Sequence, residues 1–340
     1  MSRRIQCFFL TLIIGLSAIA SAACDGPLSN TEQVLWTTCT ITLYDHAVMQ
    51  NLDASFERLR EIHSRMTVNT KGSELEAVSA AAGRTPVRVT DDVLMLTKKA
   101  LQFSALSDGL FDPTVGPLMR VWKMDWSHPQ VPKQADIARA LRLVNWRDVI
   151  LNEAARTIFL ERPGMELDLG GVLKGYAADE VVRILEARGV KSAIVDLGGN
   201  IYAMGRGREG KPWRIGVQNP DSERGTYLGI AEVVDRSVVT SGVYEHYFIK
   251  DGKRYHHIMN TRSGYPVDNG LESVTVISQS SLEADGFATT LFCLGKKDGI
   301  ELGRKLDLRV IMVDSNHKVY VTPGTKELFT ITDPLFTYAD

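Results

Sequence analysis

From residue 192 to residue 278 the chain carries seven short strand-like runs, at 192–197, 213–218, 227–234, 237–241, 246–250, 254–259 and 272–278, with no helical run among them. The β-branched stretch VLWTTCTITL at 34–43 reads as a further strand. Helical periodicity lies mostly earlier. Leu52, Phe56, Leu59, Ile62 and Met66 predict an amphipathic helix over 51–66. Further helices are expected at 91–107, 134–143 and 172–188, with a pair of short strands at 147–161. Helices at 281–294 and 297–306 and short strands at 309–313 and 318–322 complete the reading. Helices concentrated in the first half and strands in the second make an α+β fold with a mixed or antiparallel sheet, not a regular βαβ alternation. The two prolines and two glycines of SDGLFDPTVGPLMRVW, Ser107 to Trp122, predict an ordered loop. No long linker, low-complexity tract or repeat divides the chain, so one compact domain is expected over 34–340.

The long apolar run, Cys7 to Ala20, follows Arg3 and Arg4 and reads as a secretory signal over residues 1–23. Ser21-Ala22-Ala23 before Cys24 resembles a loose lipobox, which makes Cys24 the expected lipidated residue. Ordinary cleavage near Ala20–Ala23 is the alternative. Residues 24–33 are then expected to be a polar tether from the membrane. Cys39 and Cys293 remain as free thiols or as a pair, too few for a disulfide scaffold. A formal net charge of −2 carries no nucleic-acid footprint.

Chemistry enters with DLGGVLKGYAAD, Asp168 to Asp179. A buried-looking run, MELDLGG, ends in two glycines and passes into a helix pattern (Tyr176, Ala177, Val181, Val182, Leu185). A helix start offers free N–H groups and a positive dipole end, Gly171 admits a close ligand, and Lys174 supplies a point charge. A simple strand–turn–helix junction explains the same residues. ADGFATTLFCLG, Ala284 to Gly295, adds Asp285 and Thr289 four residues apart, on one helix face. Carboxylate and hydroxyl oxygens, with a carbonyl from the Gly170-Gly171 turn, suit Mg²⁺ and its phosphate partners.

Other motifs carry less. Gly205, Gly207 and Gly210 spell G-x-G-x-x-G, but Pro212 and a strand-like run follow, so a hairpin connection is expected rather than a dinucleotide loop. His256 and His257 are strand neighbours and point to opposite faces, so only one can line a given pocket.

Together the segments resemble the ApbE-type FAD:protein FMN transferases. The resemblance runs from about residue 34 to residue 323 and is carried by SRMTVNTKGSEL (Ser64 to Leu75), DGLFDPTVGPL (Asp108 to Leu118), DLGGVLKGYAAD, VDLGGN (Val195 to Asn200), HHIMNTRSGYP (His256 to Pro266) and ADGFATTLFCLG. It implies an exported enzyme that uses Mg²⁺ to cleave the FAD pyrophosphate, passes FMN to a Thr or Ser of a target protein such as a membrane redox-pump subunit, and releases AMP. By position, Asp168 and Lys174 would contact FAD. Gly171, Asp285, Ala288 and Thr289 would form the metal site. Leu110, Phe111, Asp112, Met259 and Trp36 would contact the cofactor. His257 would deprotonate the acceptor hydroxyl, a task its unperturbed pKa near ~6.5 suits. Asn69 stands where the family often has a Tyr that stacks on the nucleotide, Asn260-Thr261 replaces an Asp-Pro, and Val243 replaces an Asp. These departures leave transfer and plain hydrolysis of FAD to FMN and AMP both open. A non-catalytic FAD-binding lipoprotein and a nonenzymatic surface lipoprotein are the competing classes. The lipidated protein is expected at the periplasmic face of the inner membrane; ordinary cleavage would instead give a soluble exported protein.

Overall fold

The computed structural model describes residues 26–68, 70–123 and 129–339. The segment 1–23 expected to be a signal, Cys24 and Asn69 lie outside these residues.

A nine-stranded sheet runs in the order Leu28–Val34, Thr37–Leu43, Ala193–Leu197, Asn200–Met204, Arg236–Gly242, Leu271–Ser278, Arg309–Asp314, Lys318–Val321 and Thr337–Tyr338. Each neighbouring pair is antiparallel except the last, which is parallel. Strand order in space therefore follows chain order. Side chains alternate between two faces of each strand. Val310 and Met312 join one core, and Ile311 and Val313 the other. Both faces are covered, which is why RVIMV reads as a continuous apolar run rather than an alternating one. Helices Met49–Met66, Gly170–Ala187 and Ser281–Lys305 contribute Phe56, Val181 and Leu291 to the first core. The second core is closed by a three-stranded sheet of Trp213–Gln218, Tyr227–Val233 and Phe329–Ile331, with Val217, Ala231 and Phe329 facing inward.

Several expectations change. The single strand at 34–43 is a hairpin, with Val34 paired to Thr37 across Leu35 and Trp36. Both loop residues are left-handed, at φ 55° and 59°. That is the geometry a two-residue hairpin loop needs, reached here without the Asn-Gly or Asp-Gly that normally announces it. Residues 28–33, expected in the tether, are the first arm of this hairpin and end in buried Val34. The Ser107–Trp122 loop closes with a short helix, Gly116–Trp122, whose first turn carries Pro117. Helix Glu74–Ala80 and strand Asn200–Met204 were not foreseen. The glycines at 205, 207 and 210 do not form the expected hairpin: they carry the chain from strand Asn200–Met204 of the large sheet to strand Trp213–Gln218 of the three-stranded sheet, so the two strands do not pair. Helix Ser281–Lys305 breaks at Gly295, at φ 79° and ψ 177°. The Asn269 amide donates to the freed Phe292 carbonyl at 2.8 Å. Cys39 and Cys293 are free thiols, each pushed up to about 12 by burial.

Candidate active site

Helices Gly170–Ala187 and Ser281–Lys305 lie close enough that a Cβ on Gly175 would stand 2.3 Å from the Ser281 carbonyl oxygen. Only glycine allows this approach. At the contact the Gly175 N–H donates to Asp285 Oδ2 at 2.8 Å. Asp285 is 4% exposed. Burial pushes its carboxyl above the usual carboxylate range, against the pull of the Lys174 charge and the Gly175 and Lys174 N–H groups. One turn further, half-buried Thr289 meets the Ser241 hydroxyl at 3.0 Å. Ala288 is fully buried and offers only main-chain atoms.

At the other end of the seam, Asp168 Oδ1 accepts the Gly170 N–H at 2.8 Å and so caps the helix start locally. Burial raises its carboxyl too, again opposed by Gly170 and Lys174. The Lys174 charge thus acts on Asp168, Asp285, His246 and His257 together. This is a cation among buried carboxylates whose desolvation it only partly offsets.

The remaining motifs converge on this seam. The Pro113 carbonyl accepts the Asp168 N–H at 2.7 Å, and Thr261 Oγ1 donates to the Gly109 carbonyl at 2.5 Å. Trp122 Nε1 donates to the Gly264 carbonyl at 2.8 Å. Phe111 lies against Gly171. The Gly198 turn packs so tightly on Thr37 that a Cβ there would meet its hydroxyl at 2.1 Å, which sets VDLGGN beside the Trp36 hairpin. Trp36 is 64% exposed, with its ring 5.5 Å from that of His63. Ser281 Oγ binds Asn200 Oδ1 at 2.6 Å, which ties the same turn to the helix of Asp285.

The two histidines have different surroundings, although the strand expected over 254–259 ends at His256. His256 is buried, with Nε2 2.8 Å from the Val267 carbonyl oxygen. His257 is half-buried, its Nδ1 3.3 Å from the His246 carbonyl oxygen and its ring perpendicular to that of His246 at 5.3 Å. Its acid–base character differs from expectation. Loss of solvation, joined by His246, His256 and Lys174, pushes its pKa down to about 3.

Two other residues also read differently. Both Asp112 carboxylate oxygens are engaged: Oδ1 accepts Thr114 N–H at 2.8 Å and its hydroxyl at 2.7 Å within the loop, and Oδ2 accepts Trp146 N–H at 2.9 Å from the turn at Trp146–Asp148. The carboxylate shapes the loop rather than standing free for a ligand. Met259 is 4% exposed and packs with Leu118, Trp122, Ile137 and Phe248. Leu110 is half-buried beside Phe111. Surface hollows of about 500 and 400 Å³ are lined by Pro129, Glu245, Tyr247, Phe248 and Ile249 and by residues around Tyr44 and Arg206; Asp285, Lys174 and Thr289 line neither. We locate the site by its convergent polar groups, since depth alone carries no chemistry.

Among the described residues no three His, Cys, Asp or Glu side chains cluster as metal ligands. One carboxylate, one hydroxyl and main-chain carbonyls instead fit a hard cation that completes its shell with water or phosphate oxygens. Sequence reasoning missed Gly175 and Ser241, whose roles arise only where helices and strand meet. It also missed His246, which lies eleven positions from His257 and meets it through a hairpin.

The chain as a whole resembles known proteins. Residues 35–312 match the family model described as the ApbE family. A Klebsiella pneumoniae (strain 342) protein named FAD:protein FMN transferase is 38% identical over 286 residues, covering 84% of this chain and 89% of its own. A Treponema pallidum (strain Nichols) protein of the same name is 30% identical over 343 residues, covering 96% and 95%. The chain belongs to the ApbE family. Among solved structures, the Thermotoga maritima apbe protein superposes with TM-score 0.82 at 27% identity, covering 89% of this chain and 99% of its own. The flavin transferase ApbE from Vibrio cholerae gives 0.81 at the same identity and coverage.

Proposed function

We propose that this protein is an FAD:protein FMN transferase, cleaving the FAD pyrophosphate with Mg²⁺ and joining FMN to a Thr or Ser hydroxyl of an acceptor protein. The observation that carries the reading is the seam itself, where Lys174 acts on Asp168 and Asp285 while Thr289 stands one turn beyond. Names borne by relatives at up to 38% identity support the activity.

Asp285, Thr289 and main-chain carbonyls including that of Gly171 would hold Mg²⁺, which when bound supplies charge neutralisation of the phosphate oxygens. Lys174 binds a phosphate oxygen. His257 takes the acceptor hydroxyl proton; the hydroxyl oxygen bonds to the FMN phosphorus, the pyrophosphate P–O bond breaks, and AMP leaves with its electron pair. Trp36, Leu110 and Phe111 form apolar surroundings of the nucleotide, with Asp112 holding the loop of Leu110 and Phe111 and Met259 packed in the core behind it. Water in place of the hydroxyl would give FMN and AMP. Asn69, with no ring to stack, favours exchange of nucleotides over retention.

The test incubates the chain without residues 1–23 with FAD and Mg²⁺, with and without an acceptor domain, and resolves FMN, AMP and protein-bound flavin. Asp285→Ala should abolish cleavage while the fold persists. Normal turnover by that variant at limiting Mg²⁺ would sink the metal assignment, and a wild-type protein that binds FAD unchanged would favour a storage or delivery role. For location we propose a lipid anchor at Cys24, holding the enzyme at the periplasmic face of the inner membrane. Cys24→Ser should release it to the soluble fraction; a wild-type protein without lipid by mass removes the anchor.

A further inference from the structure

Beyond the contact at Gly175, a second tie joins the same two helices. Asp179, one turn along helix Gly170–Ala187, accepts Ser281 N–H at 2.7 Å, Leu282 N–H at 3.0 Å and the Ser280 hydroxyl at 2.8 Å. Ser280 is the N-cap of helix Ser281–Lys305, and its Oγ also takes the Glu283 N–H at 3.2 Å. The first free N–H groups of that helix are therefore filled partly by its own cap and partly by a neighbouring helix. The arrangement is reciprocal. Helix Gly170–Ala187 gives the Asp179 carboxylate to Ser281 N–H and receives the Asp285 carboxylate at Gly175 N–H. Each helix contributes a carboxylate and an N–H four residues apart. Ser281 Oγ on Asn200 and the buried apolar face also hold this helix, and the two carboxylate ties a turn apart set its register against helix Gly170–Ala187.

We propose that Asp179 is a positioning residue for metal binding: it holds helix Ser281–Lys305 in the register that aims Asp285 and Thr289 at the cation beside Lys174. This rests on the reading of Asp285 as a metal ligand. A purely local cap predicts lost stability with unchanged metal affinity. A positioning role predicts lost affinity in protein that is still folded, on the scale of about 10–100-fold found when groups behind metal ligands are removed.

The experiment measures Mn²⁺ binding by electron paramagnetic resonance on flavin-free protein, at a temperature where circular dichroism shows every variant folded. Asp179→Ala should bind Mn²⁺ about 10–100-fold more weakly, Asp179→Asn with a smaller loss because its amide keeps one acceptor, and Asp285→Ala should not bind. Wild-type affinity in Asp179→Ala, with binding lost in Asp285→Ala, overturns the positioning role and leaves the metal site standing. Binding retained in Asp285→Ala, or absent from the wild type, removes the metal reading and this proposal with it. If Asp179→Ala does not fold, Asp179→Asn decides: weakened binding supports the role and unchanged binding overturns it.

Discussion

The ring of Phe111 fills the space that a side chain on Gly171 would need; a Cβ there would stand 2.8 Å from the ring edge. Phe103 meets the same ring edge-on at 5.8 Å, so Phe111 is held between a core aromatic and the helix start. Gly171 thus sets how deeply the 108–118 loop sits over the seam.

Gly171→Ala should separate site geometry from stability. Alanine favours the helix by about 1 kcal/mol over glycine, which offsets the crowding of Phe111. Stability measured by urea unfolding should change by less than about 1 kcal/mol, while KM for FAD rises roughly tenfold as the ring is displaced. An unchanged KM would show that this loop position does not matter to the nucleotide.

The pH dependence should reveal the depressed His257. A general base works only when deprotonated, so activity is lost as pH falls through its pKa. In the free enzyme that pKa is down at about 3. Bound pyrophosphate brings negative charge that favours the imidazolium, raising the value in the complex. The acid limb of kcat should therefore lie at higher pH than that of kcat/KM, and His257→Asn should abolish the difference. Coincident limbs in the wild type would rule out this account of the base.

Arg58 should be a stability residue. Its guanidinium bonds Glu180 at 2.9 Å, Asp92 at 3.0 Å, Tyr176 Oη at 2.8 Å and Glu61 at 2.6 Å, linking helices Met49–Met66, Asp91–Leu106 and Gly170–Ala187. Burial alone would raise the Asp92 and Glu180 carboxyls, but Thr90, Arg58 and Arg65 hold Asp92 low, and Arg183 and Arg58 hold Glu180 low. Arg58→Ala should cost about 3 kcal/mol near pH 7, since it leaves half-buried carboxylates short of a partner. Both carboxyls have lowered folded pKa values, so their stabilisation is present above 3.8 and 4.5 and is lost as pH falls through the folded values. The penalty should shrink by about pH 3. Urea titrations at the two pH values check this; a pH-independent penalty would assign it to packing.

Asp112→Ala should unsettle its loop. The Thr114 and Trp146 N–H groups lose their acceptor, at about 1–3 kcal/mol for each left unpaired. The melting temperature should drop and KM for FAD should rise with it. A raised KM at unchanged melting temperature would instead mean that the carboxylate meets the nucleotide directly.

Local residue pattern determined the elements of this protein and the segments that carry its family. Helix 51–66, the break between 294 and 297, and the pairing of Asp285 with Thr289 on one face all follow from periodicity and a glycine. The 34–43 hairpin was hidden because Leu35 and Trp36 adopt left-handed conformations that their side chains do not advertise. The helix at Gly116–Trp122 was hidden because Pro117, a breaker in mid-helix, is favoured in a first turn. Tertiary structure alone decided what each polar group does. The carboxylates of Asp112, Asp168, Asp179 and Asp285 look alike in sequence, yet one staples a loop, one binds the first N–H of its own helix, one clamps a neighbouring helix and one accepts an N–H across the seam beside Lys174. The depressed pKa of His257 likewise comes first from burial, joined by His246 and Lys174 as well as adjacent His256, because hydrogen-bond partners and desolvation are set by packing, and packing brings together residues as far apart as 175 and 285.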